Sequence, residues 1–196
     1  MKKLLTLLIV ATLAVSMVAC TSNNDKSSSS ESSSVSESVD SSSEEESSEE
    51  ESTPEFEIPE ENKKLGDIIT AARTDEMNEA MNIIMSKDDP QAQLIFDVAG
   101  LNADDMEAFA VSISPMNIKA YGVAIIKPAE GKDEAVLKAI NGFVDGQKKA
   151  FEQYLPDQKE IANSATVDTL EDGTVVLVMS EDGAAVQKAI LEALKK

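Results

Sequence analysis

The chain has 196 residues and a formal net charge of −20, from 37 acidic and 17 basic side chains, with no histidine, no tryptophan and a single cysteine. These counts exclude an internal disulfide, Ser-His-Asp and Cys-His catalysis, and the usual zinc, haem and iron–sulfur sites. The charge divides as +2 over residues 1–20, −13 over 21–62 and −9 over 63–196, so there is no basic patch to neutralise phosphates and nucleic acid is not an expected partner.

Residues Met1 to Val15 place two lysines ahead of an apolar stretch too short for a comfortable membrane-spanning helix, the pattern of an export signal. The run closes with Met17-Val-Ala-Cys20, which resembles the lipobox of bacterial lipoproteins, where small residues precede a cysteine that is diacylglycerylated before cleavage. The resemblance implies a signal peptide over 1–19, Cys20 as the lipid attachment site, and a membrane partner held through that lipid on the extracellular face of the cell. Two acyl chains meet the requirement for stable anchoring. The only thiol is thereby assigned to an address and removed from chemistry.

The lipidated Cys20 and the segment that follows, 20–62, form the second unit. Thr21 to Ser52 holds sixteen serines in thirty-two residues, with Asp and Glu filling much of the rest. Such a stretch buries too little apolar surface to offset chain entropy, which predicts a disordered, low-complexity linker. Its flexible end-to-end distance is roughly 35–40 Å, enough to hold a domain clear of lipid. Thr53-Pro-Glu-Phe-Glu-Ile-Pro59 reads as an extended lead-in.

Residues 63–196 are expected to form a single domain large enough for its own core. Leu65, Ile68, Ile69, Ala72, Met77, Ala80, Met81, Ile84 and Met85 recur at helical spacing and predict one amphipathic helix over about 65–86. Gln93 to Val98 is a short apolar run that fits a strand or a packed loop. Asn102 caps a helical turn. Ala108–Ser114 and Ile118–Ile126 predict an antiparallel strand pair, and Lys132–Leu155 a long helix ended by Pro156. Two further strands, Thr166–Leu170 and Thr174–Met179, flank an Asp172-Gly173 turn. A final helix follows, with Ser180 as its cap. The order predicts an α+β fold: an antiparallel sheet of about four to five strands with helices packed on one face, preceded by the disordered tail. An open opposite face is then the natural place to meet a partner.

From about residue 102 onward, and most specifically at Gly146-Gln-Lys-Lys-Ala-Phe-Glu-Gln-Tyr-Leu-Pro-Asp157, Ile161-Ala-Asn-Ser-Ala165 and Val175-Val-Leu-Val-Met-Ser180, the chain resembles a group of Gram-positive bacterial lipoproteins. That group is defined by a domain of unknown function, the one numbered four-three-five-eight. The resemblance implies an exported, anchored domain and brings with it no catalytic or binding residues.

Chemistry is sparse. Asp168 to Gly173 shares with a calcium loop the carboxylates before a sixth-position glycine, but Leu170 and Met179 occupy the third and twelfth positions, where oxygen ligands are needed. No metal or cofactor is expected. Met77, Met81 and Met85 form a stripe that suits either core packing or, if it faces solvent, soft-metal binding. Phe151 and Tyr154, in the densest aromatic group, are the candidate partner-contacting residues, with core packing as the competing role. Two functions stay open: a non-catalytic extracellular module that binds another envelope protein or a surface ligand, and a small exported hydrolase or transferase that uses carboxylates.

Overall fold

A strand buried on one face alternates apolar and polar residues, whereas Val175-Val-Leu-Val-Met179 is apolar throughout, the mark of a strand covered on both sides. In the computed structural model, which describes residues 56–195, this run is β4 (Val175–Met179) and all five of its residues are buried. It lies inside one antiparallel four-stranded sheet with β1 (Met106–Ile113), β2 (Gly122–Pro128) and β3 (Thr166–Thr169), in the order β1-β2-β4-β3. The α+β class and the antiparallel sheet are as expected. The export signal, Cys20 and the serine-rich tail lie outside the described residues.

Successive residues of the central strands enter two separate cores. Phe109, Ile126 and Leu177 pack with α3 (Ala92–Ala99), α4 (Asp133–Ala150) and α5 (Pro156–Asn163), through Phe96, Ile140, Phe143 and Ala162. Val123, Ile125, Val176 and Val178 point the other way, against Ile69 of α1 (Glu60–Ala72) and Val186 and Ile190 of α6 (Gly183–Leu194). Helices therefore cover both faces. The expected arrangement, helices on one face and the other left open, is corrected by that two-sided burial. Full burial of such a side chain contributes about 1.5–3 kcal/mol, which an open face would forfeit at every second position.

The long helix expected over 65–86 is interrupted. After α1 the backbone turns extended at Arg73, Thr74 accepts a hydrogen bond from Met77 N, and a short α2 (Asp75–Ala80) follows. Met81 to Met85 then run without helix, and Ile84 exchanges both backbone hydrogen bonds with Val111, which closes the outer edge of β1. The three methionines consequently share no single helix, Met77 lying in α2 and Met81 and Met85 at the two ends of the non-helical run, and each is half-buried against the α1–α6 core. Gln93 to Val98 belongs to a helix: Ile95, Phe96 and Ala99 face inward while Leu94 is exposed, a period of three to four residues.

α4 stops at Ala150, short of the expected Leu155, and Pro156 opens α5 rather than only ending a helix, because the first helical position lacks nothing by losing an N–H. The 170–174 turn is a hairpin as expected. Gly173 adopts the left-handed conformation (φ 85°), and the Asp172 carboxylate accepts Thr174 N at 3.0 Å, which holds its pKa below the ordinary aspartate range. Ser180 does not cap α6. Asp182 flanks that helix without a side-chain bond, and the Ser180 hydroxyl is buried with no hydrogen-bond partner among the described residues.

Asn62 shows how the residues before position 63 join the fold. It is buried in α1, donates Nδ2 to Met85 O at 2.8 Å and accepts Phe109 N on Oδ1 at 3.0 Å. One side chain ties the first helix, the crossing segment and strand β1 together. Asn62→Ala leaves a buried backbone N–H and a carbonyl without their partners and is expected to cost about 1–3 kcal/mol. Urea denaturation checks this, and an unchanged midpoint contradicts the role assigned to Asn62.

Candidate functional site

The break after α1 has a consequence for charge. A side chain on a continued helix would follow the helix surface, but the extended backbone at Arg73 (φ −99°, ψ 167°) turns the guanidinium beneath the end of the sheet. Arg73 is the chain's only arginine and is 9 % exposed. Its Nε donates to Asn78 Oδ1 at 3.0 Å, and one terminal nitrogen, Nη1, donates to Ser112 Oγ and to the Tyr121 hydroxyl, both at 2.8 Å. Ser112 comes from β1 and Tyr121 immediately precedes β2.

Guanidinium carries five N–H donors and no acceptor. Three are used here, all on neutral oxygens; the second terminal nitrogen, Nη2, makes no hydrogen bond among the described residues. No carboxylate of the described residues forms an ion pair with Arg73 either, the pairs present being Lys127–Glu61 and Lys132–Asp105. A buried cation without an anion carries a desolvation penalty that neutral oxygens offset only in part.

Arg73 faces a cavity of about 400 Å³, within the range of pockets that take small organic ligands. Its deep wall is formed by buried Tyr121, Val123, Ser180 and Val186. Half-buried Met77 and Ile161 add apolar surface, and the exposed lining residues include Glu76, Lys119, Glu181 and Asp182. Gln158 of α5 fixes the β1–β2 loop at this end, accepting Ala120 N on its side-chain oxygen at 2.8 Å. Two larger clefts, of about 480 and 560 Å³, contain no buried charged side chain. The arrangement offers cation, hydroxyl and apolar wall, which suits binding; the carboxylates held away from their ordinary pKa, Glu61 beside Lys127 and Asp172 at its turn, are shifted downward and lie outside this cavity.

Of the two candidate partner-contacting residues, Phe151 is wholly buried and packs in the core with α3 and α4, while Tyr154 is exposed. Their rings lie 5.8 Å apart, and the Tyr154 hydroxyl donates to Asn117 O at 2.8 Å. Phe151 thus anchors the α4–α5 loop from inside, and only Tyr154 is presented. Around it the same two loops expose Met116, Ile118 and Leu155, and Leu155 holds a left-handed backbone (φ 53°) that is strained for a residue with a side chain. The loop from Met116 to Tyr121 carries both this apolar surface and one wall of the cavity.

Arg73, Ser112 and Tyr121 carry no spacing or motif that marks a site, and Ser180 is marked only as a helix cap and as the end of a family-like stretch. One compositional signal was available: a lone arginine among sixteen lysines, immediately before a Thr-Asp helix start. Arg73→Lys keeps the charge but cannot fork to Asn78, Ser112 and Tyr121 together, and is expected to lower unfolding free energy by about 1–3 kcal/mol. Equilibrium denaturation tests this, and wild-type stability in the lysine variant contradicts the geometry described.

Comparison with known proteins gives one match. No curated protein and no solved structure matches the chain. The family pattern described as Domain of unknown function (DUF4358) matches residues 79–180. That span takes in all four strands and Ser112, Tyr121 and Ser180, and begins just after Arg73 and α1. With more than half of its length matched, the chain belongs to the family described as Domain of unknown function (DUF4358).

Proposed function

We propose that this protein is an exported lipoprotein of a Gram-positive envelope, anchored through lipid on Cys20 to the extracellular face of the membrane. Its folded domain is a non-catalytic binding module that takes a small anion-bearing ligand in the Arg73 cavity. The observation that carries the binding reading is the guanidinium itself: buried, oriented by three neutral oxygens, with one terminal nitrogen left without a partner among the described residues. A structural arginine would be neutralised by a carboxylate, whereas a binding arginine keeps donors in reserve and is held in place beforehand. The absence of histidine and the commitment of the one thiol to lipid leave little for nucleophilic chemistry. Tyr154 and its apolar neighbours extend the contact area available to a ligand larger than the cavity.

The anchoring half is supported by the Met17-Val-Ala-Cys20 pattern and the serine-rich segment behind it. Fractionation of cells should find the wild type in membranes and a Cys20→Ala variant released or retained as uncleaved precursor; identical membrane recovery of a processed variant contradicts it. The binding half is tested with sodium propionate as probe, against sodium chloride at equal ionic strength. Hydrogen exchange of the detergent-solubilised protein should slow in peptides covering Arg73–Met77 and Ser180–Val186. No protection there, or protection only elsewhere, overturns this reading.

A further inference from the structure

We infer that the Arg73 cavity selects a small zwitterion with an apolar side chain, an α-amino acid or short peptide, whose carboxylate goes to the deep end and whose ammonium stays at the exposed margin. This rests on the binding reading above and specifies its ligand. The charges lining the cavity are sorted by depth. The deep end is cationic, with Arg73 9 % exposed and its Nη2 unpartnered among the described residues. The exposed lining holds three carboxylates, Glu76, Glu181 and Asp182, against one lysine, Lys119.

The wall next to these charges holds a further polar residue. Ser180 lines the same cavity, is 8 % exposed, and its hydroxyl is buried with no hydrogen-bond partner among the described residues. Buried hydroxyls are ordinarily satisfied, so the Ser180 hydroxyl leaves this wall with a polar group still lacking a partner. A carboxylate has two oxygens and about four lone-pair sites, so it accepts from Arg73 Nη2 with the added strength of a charge-assisted bond.

The margin then discriminates. A plain carboxylate satisfies the deep end but meets three acids on the way in, and a plain amine meets Arg73. A ligand carrying both charges answers both ends, and its side chain lies against Met77, Val123 and Val186. Like-charge juxtaposition at the margin thus weakens simple anions relative to zwitterions without shutting them out, which is how charged groups set specificity more than affinity.

Isothermal titration of the detergent-solubilised full-length protein distinguishes these cases. The ligands are leucine, leucyl-leucine, N-acetyl-leucyl-leucine and leucyl-leucinamide. Removing the ammonium by acetylation, or the carboxylate by amidation, should each weaken binding by at least about tenfold. The double substitution Glu76→Gln with Glu181→Gln, at exposed positions that leave the core untouched, removes two of the three margin carboxylates and should reduce the penalty for acetylation while the penalty for amidation remains. Tighter binding of leucyl-leucine than of leucine assigns a peptide ligand, and the reverse assigns a free amino acid; both support the inference. Equal affinity for the acetylated and free peptides overturns it, as does no binding of any of the four. If propionate still protects the cavity in either case, the broader binding reading survives and only the zwitterion is lost.

Discussion

Everything in this domain follows from two strands that have no polar side. β2 and β4 are buried along both faces, so the chain must supply helices on each. α3, α4 and α5 close one side, and α1 and α6 close the other. With both faces sealed, a partner or ligand has to be met at the edges or ends of the sheet. The β1 edge is occupied by the Ile84 bridge, and one end is where α1 breaks and Arg73 enters.

That break links local backbone conformation to function. If the periodicity of residues 65–86 had produced one continuous helix, Arg73 would lie on its surface and its guanidinium would be solvated. The extended residue and the Thr74 restart instead deliver a charge to the end of β1 and β2, where Ser112 and Tyr121 hold one of its terminal nitrogens. The same end receives Ser180 at the exit of β4. The cavity is thus lined by Tyr121 and Ser180 at the sheet's end and by the helix break, with Ser112 holding Arg73 from behind, and α6 and α5 wall it in.

What the sequence revealed tracks how local each feature is. The β1–β2 pair, the Asp172-Gly173 hairpin and the body of α4 depend on alternation, a turn glycine and a long amphipathic period, and all were legible. Residues 92–99 were ambiguous because an apolar run of that length fits strand or helix, and only burial of Ile95, Phe96 and Ala99 decides it. Two-face burial was in fact written in Val175–Met179, where alternation is missing. The helix break was hidden because Met77 and Met81, beyond the break, keep the helical period of α1 and contribute to the same core. The site was the least legible part: Arg73, Ser112, Tyr121 and Ser180 are scattered over more than one hundred residues and share no motif, and the aromatic pair that stood out splits into a buried Phe151 and an exposed Tyr154.

The central claim is that Arg73 keeps one terminal nitrogen free for a ligand while the other is fixed. Because the chain has a single arginine, nitrogen-15 NMR of guanidinium groups contains one residue only. In the ligand-free protein the Nη1 protons should exchange slowly with water and the Nη2 protons rapidly, and carboxylate binding should slow the second pair. Slow exchange at both nitrogens before any ligand is added would show that Arg73 is already fully engaged, and would contradict a binding role for the cavity.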